Sequence, residues 1–366
     1  MSQLMFPLCV LFSSLLTAYQ FSGQAIDCMV QGGIPDSMIN NYCWTHGTYT
    51  VKDMEHITRR PPTEKEKQHM LKYDHPGYIY PGVRTAIDGV NTKEYHVFYQ
   101  YVCFMVFVQG VLFYIPRFIW RNLIEGGKLK FLTSDMNLPA TDNDTEKKRV
   151  ARLSAGFKKF KSNNNKYAFG FLLMEILNLV NVVAQFILND IFLNGNFLDL
   201  GARLWIYYSQ YEYSWDPLDQ IFPKMTKCQF RKHGVGGQIQ IHDALCNLPQ
   251  NVLNEKIYVI MWLLLVPLGI ISAIAVFYRL LCIFVPLIRI PVLSKSHNKW
   301  REITKICLTR PYGDWFLLQQ MAKNVDIDTF DKFLDALRQN DVFVKEYSKK
   351  RKCQNCKCTN AENVDV

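Results

Sequence analysis

Of the eleven cysteines in this 366-residue chain, four fall two by two into polar stretches, Cys28 with Cys43 and Cys228 with Cys246. Even numbers of thiols in loops that face an oxidising compartment form disulfides. Three pairings of four thiols exist, and the sequence does not choose among them. A bond between the stretches would hold both in one rigid platform, whereas bonds within each would leave them hinged. The other cysteines read differently. Cys9, Cys103 and Cys282 lie in or beside apolar segments, where a thiol acts as a small hydrophobe. Cys353, Cys356 and Cys358 stand in a basic tail with no histidine after His297, so a four-ligand zinc site is not expected there. Free thiols, open to acylation, are the expectation for the tail.

A second set of polar groups stands where it is costly. Glu175, Asn178, Asn181, Gln185 and Asn189 recur at steps of three and four inside an otherwise apolar run. On a helix they fall within about 120° of one face. Polar groups in hydrocarbon must turn toward protein or water, so the stripe either faces an aqueous pore or makes hydrogen bonds between helices. The second reading is the expectation here, with Glu175 the residue to test. No catalytic arrangement accompanies these groups. There is no phosphate-binding loop, no Gly-x-Ser-x-Gly and no His-Glu-x-x-His. The Gly234-Val235-Gly236-Gly237 cluster reads as a turn, flanked by His233 and His242. No catalytic residue, cofactor or metal is expected.

The elements that position these groups are four apolar segments, at 4–21, 97–116, 167–192 and 257–277. Each is close to the roughly 20 residues that cross a bilayer as a helix. The first lies near the N-terminus, but Met1-Ser2-Gln3 supplies no basic side chain and Ser22-Gly23-Gln24-Ala25 is a poor cleavage site, so it reads as a span. Pro7, Pro116 and Pro267 permit kinks in or beside the spans. The expected class is therefore an all-α, four-span membrane protein. The segments between are loops at 22–96, 117–166 and 193–256, with a helical domain and tail from 278 to 366.

The net charge of +10 is unevenly spread, and that argues against a nucleic-acid partner. Of the 42 Lys and Arg residues, 28 lie in 117–166 and 278–366, at roughly twice the density of the other two stretches. Positive charge accumulates on the cytoplasmic side during insertion. Both termini and the 117–166 loop are expected in the cytosol, with 22–96 and 193–256 outside. The basic run from Lys147 through Arg152 to Lys161 reads as a solvated cytosolic face.

Particular strings resemble one family closely. Phe98-Tyr99-Gln100-Tyr101-Val102 is similar to the innexin signature at the outer entry to the second span, with Phe and Tyr where Tyr and Trp are usual. Asp27-Cys28, Tyr42-Cys43-Trp44, the segment from Phe222 to Cys228, and His242 to Cys246 resemble the innexin external loops. Asn254 to Tyr258 and Gly313 to Leu318 match the fourth span and the cytosolic tail, so the likeness runs in order from about Leu11 to Asp328. It implies a subunit of an invertebrate gap-junction channel, at the plasma membrane, passing ions and small metabolites. The ring would be homo- or hetero-oligomeric, octameric rather than hexameric, in contact with membrane lipids and docked to a ring in the apposed cell. The family pattern also implies the pairs Cys28–Cys246 and Cys43–Cys228. It sets this chain's start inside the first span, so part of the pore-lining N-terminal segment is expected to be missing. Asp27 becomes a candidate charge near the permeation path.

Other readings are a non-junctional hemichannel, a truncated or non-conducting regulatory subunit, or a four-span adhesion scaffold. Connexins carry three cysteines in each external loop, against two here. The one Asn-x-Ser/Thr, Asn143-Asp144-Thr145, falls in the expected cytosolic loop, where it would not carry a glycan.

Overall fold

A computed structural model describes residues 2–51, 82–83, 92–127, 148–154, 157, 164–210, 216–294, 303–304, 307–308, 310–325 and 327–339. The tail cysteines, Asn143 and, of the basic run, Lys147, Lys158, Lys159 and Lys161 lie outside the described residues. Four described helices are long and apolar enough to cross a membrane: α1 (Ser2–Ser22), α3 (Val102–Ile119, continued by a π-turn at Trp120–Glu125), α4 (Asn164–Phe192) and α7 (Pro249–Phe284). All four run past the expected bounds at one end or both, and α3 begins only at Val102, after a 3-10 turn at Phe98–Gln100. At 29 and 36 residues, α4 and α7 run to roughly 43 and 54 Å, beyond the hydrocarbon thickness. Their polar ends continue as helix because hydrogen bonding along the axis does not stop where lipid does.

The chain divides into two compact units. The first comprises 1–117 and 177–273, the second 118–176 and 274–366, so α4 and α7 contribute to both.

In the first unit α1, α3 and parts of α4 and α7 share one apolar core that includes Leu16, Val106, Phe113, Phe197, Phe222, Tyr258 and Leu265. Gly110 sets how closely α1 and α3 approach, because a Cβ there would lie 2.9 Å from the Cys9 Cβ.

The two cysteine loops add what the helical reading did not specify, a five-stranded antiparallel sheet in the order β1-β5-β4-β2-β3. Its strands are β1 (Asp27–Met29), β2 (Thr48–Val51), β3 (Lys93–His96), β4 (Met225–His233) and β5 (Ile239–Asn247). Along β4, Thr226, Cys228 and Phe230 turn inward in strict alternation, as a one-sided strand requires. The predicted glycine turn closes the β4–β5 hairpin, with Gly234 and Gln238 bonded across it and Gly237 at φ 78°. A short helix α2 (Asp36–His46) packs on the sheet, and α5 (Leu200–Gln210) and α6 (Pro217–Ile221) precede β4. Asp216 caps α6, its carboxylate accepting from the Leu218 amide at 2.9 Å.

The second unit is helical among the described residues. The polar-flanked helices α8 (Arg289–Ser294), α9 (Tyr312–Asn324) and α10 (Ile327–Gln339) close over the ends of α4 and α7 that belong to this unit. Trp315, Phe316, Leu317, Leu318 and Phe330 are fully buried in its core. Asn164 donates to the Asp314 carboxylate at 2.8 Å, and Asn165 accepts from the Gly313 amide at 2.9 Å, so the start of α4 caps the start of α9.

Candidate functional site

Both disulfides join the first cysteine loop to the second. Cys28 is bonded to Cys246 and Cys43 to Cys228, giving the platform arrangement of the three possible pairings. The register explains the first: Cys28 and Cys246 stand opposite one another in the β1–β5 ladder, with Cα atoms 4.0 Å apart. The second ties α2 to β4, with Cα atoms 5.8 Å apart. Three of these sulfurs lie within 4.8 Å of one another, a spacing that thiolates around a metal would share, but all four cysteines are engaged in S–S bonds.

An apolar cluster surrounds the bonds: Ile26, Ile39, Tyr99, Phe230, Ala244 and Leu248. Tyr42 meets Phe230 edge-to-face with centroids 4.8 Å apart, and Asn40 accepts from the Cys28 amide at 2.7 Å. The aromatic signature connects this cluster to the spanning helices. Tyr99 is fully buried, lies 5.0 Å from the Trp44 ring, and donates to the Cys43 carbonyl at 3.5 Å. Gln100 donates to the Trp44 carbonyl. Phe98 turns the other way, toward Phe192 and Phe222 at 6.2 and 5.9 Å. Tyr101 is exposed. Three of the four signature residues thus fix the sheet to the helix core of the same unit.

His96, at the end of β3, is buried and makes a 2.7 Å hydrogen bond with the Thr50 hydroxyl across the β2–β3 pair. Burial pushes its ring down to about 4, so it stays neutral at ordinary pH. Asp27 lies in β1 opposite Asn247, not on α1, and its side chain is exposed. The helix stops at Ser22, where Gly23 follows, so the acid is carried into the strand.

The stripe on α4 divides between the units. In the first, Asn181 donates to the Leu112 carbonyl at 3.2 Å, and Asn189 accepts from Gln109 at 2.6 Å while donating to the Gln185 carbonyl at 2.9 Å. Gln185 donates to the Asn181 amide oxygen at 3.4 Å. Asn181 and Asn189 turn toward α3, which is where polar groups in hydrocarbon find partners, while Gln185 is buried and bonded along α4 itself. Asn178 is half-buried.

In the second unit, Glu175 accepts from the Arg279 Nε at 3.1 Å through both carboxylate oxygens. Arg279 also donates to Gln319 of α9 at 3.2 Å, and its guanidinium lies 5.1 Å from the centres of both the Phe171 and Phe316 rings. One arginine therefore binds α4, α7 and α9 together. Its partners were not visible in sequence. Gln109 stands among apolar residues in the middle of the second span, and Arg279 just beyond the expected end of the fourth.

Among the described residues, Cys9, Cys103, Cys282 and Cys307 are free and buried. Burial raises the Cys307 thiol to about 11, which leaves it without the thiolate a nucleophile needs.

The innexin family profile matches residues 1–340. Innexin inx2 of Drosophila melanogaster is 37% identical over 323 residues, covering 87% of this chain and 83% of that protein. Innexin inx2 of Schistocerca americana is 36% identical over 321 residues, covering 87% and 84%. Innexin shaking-B of Drosophila melanogaster is 33% identical over 323 residues, covering 87% and 82%.

Proposed function

The chain belongs to the innexin family of gap-junction channel subunits, and we propose that its copies form a ring whose cysteine loops dock with a second ring across two cells. A ring around an axis gives each copy one share of an aqueous pathway, wide enough for ions and small metabolites. In this reading the ring holds eight copies, alone or mixed with other innexins, and the cysteine loops lie outside the cell. The 117–166 loop, the 278–366 region and both termini lie in the cytosol.

The observation that carries this reading is the pair of disulfides between the two loops, buried in one sheet that the signature residues fasten to the spans. Docking two rings needs a rigid face, because each loop left free would lose conformational entropy on contact. Disulfides of this kind persist in an oxidising compartment, which agrees with an extracellular position. Membership in a channel-forming family supports a structural role.

Dye transfer tests the reading. Paired cells that both express the chain should pass a small fluorescent tracer, and pairs in which one cell lacks it should not. Tracer uptake by single cells without transfer between pairs would replace the junctional reading with a hemichannel.

A further inference from the structure

The second cysteine loop contains a short helix with a face that no described residue of the subunit covers. Helix α5 presents Ala202, Trp205, Ile206 and Ser209 at steps of three and four, and all are exposed. Trp205 is 76% exposed and Tyr208 66%, with Leu198 exposed just ahead of the helix. The opposite face is packed, with Leu200 fully buried and Leu204 against the helix core. The single cation of the stretch, Arg203, is paired with Asp199 at 2.6 Å and bonded to the Asn196 side chain at 3.0 Å.

The depth of this helix can be read from its partner on α7. Gly201 lies against Trp262, so closely that a Cβ there would overlap the indole at 2.0 Å. The Trp262 N–H also points to the Leu198 carbonyl at 3.5 Å. Glu255 and Lys256 are the last charges before the apolar run, and they pair with each other at 2.6 Å. Trp262 comes six residues after Lys256, or about 9 Å further along the helix. Interfacial helices bury their apolar face to a similar depth, about 5–10 Å into the headgroup–acyl boundary. Ile260 and Leu263, flanking Trp262, are exposed on a helix whose composition suits it to hydrocarbon.

We propose that α5 is an interfacial helix, held by Trp262 at the acyl–headgroup boundary of the leaflet next to the disulfide-bonded sheet, with lipid covering Leu198, Trp205, Ile206 and Tyr208. Tryptophan and tyrosine favour that level because each has an apolar body and a polar tip. Local pairing of Arg203 and Asp199 leaves the stretch without net charge, so the partner is the bilayer surface in general and not an anionic headgroup. The inference needs α7 to span, and holds whichever side of the membrane the sheet occupies.

The test uses the assembled channel reconstituted in phosphatidylcholine vesicles, with or without bromine atoms on the upper acyl chain. Trp205 emission is taken as the difference between the unmodified protein and Trp205→Phe. That difference should lose at least half of its intensity in brominated lipid and be little affected by aqueous acrylamide. Quenching by acrylamide alone would put the face in water and overturn the proposal. Quenching by neither would mean that a neighbouring subunit covers it, which overturns it equally. Should Trp205→Phe not assemble, Ile206→Trp, read as the emission gained, gives the same three outcomes.

Discussion

Removing the Cys43–Cys228 bond by replacing both residues with Ala should loosen the sheet by an amount that the other bond limits. Taken alone, a cross-link between residues 185 apart would restrict the unfolded chain by about 5 kcal/mol in the chain-entropy picture. Here the Cys28–Cys246 bond already closes an outer loop. With that bond intact, the second one closes only the residual loop from Cys28 to Cys43 and from Cys228 to Cys246. That loop is roughly 35 residues, which lowers the expected contribution to about 4 kcal/mol. The spans hold the loop ends near one another even when the sheet opens, so the figure is an upper value. Hydrogen exchange of the β4 and β5 amides on the purified channel reads the opening equilibrium directly. An upper value of about 4 kcal/mol corresponds to as much as ~1000-fold faster exchange at Phe230 and Ala244. Acceleration below about tenfold would refute the reasoning. It would mean that Ile39, Tyr99, Phe230 and Leu248 hold the sheet without the second bond.

Three further outcomes follow from particular contacts. Arg279→Ala and Glu175→Ala should each lower the thermal stability of the second unit, by about 3 kcal/mol, because each leaves a partly buried charge without its partner. The double variant should cost clearly less than the sum, Arg279→Lys should not rescue, and strict additivity would argue against the pair. Acidification should weaken the β2–β3 pair through His96, whose folded value near 4 lies below the ordinary 6.5. Stability is then complete above pH 6.5 and falls as pH drops toward 4, with about 2 kcal/mol lost by pH 5. Exchange of the β2 and β3 amides measures it, and His96→Phe should flatten the dependence. Gly110→Ala should cost about 1–3 kcal/mol in melting experiments by forcing α1 off α3, with Cys9→Gly restoring much of it.

The spans were legible because a bilayer sets a length and a composition that little else in a sequence imitates. Helix ends were less so, since Arg279 and Phe284 continue α7 past the apolar run for reasons of backbone bonding. The four loop cysteines stood out by compartment, yet their partners lie 218 and 185 residues away, and only the family likeness implied the pairing. The sheet was hidden for a physical reason. Strands β1, β2 and β3 have three or four residues, too few for an alternation to register. In β4 two of the three inward side chains are Thr226 and Cys228, so the buried face is not a row of aliphatic residues. The stripe on α4 was evident from its periodicity, whereas its acceptors and donors at Leu112, Gln109 and Arg279 depend on packing between distant segments.

The most direct measurement on the whole account is the sidedness of two inserted epitopes in intact cells. One is placed in the β4–β5 turn after Gly237 and the other within the 117–166 loop. Antibody should reach the first without permeabilisation and the second only after it. The reverse pattern, or equal access to both, would contradict a disulfide-braced face presented to the neighbouring cell.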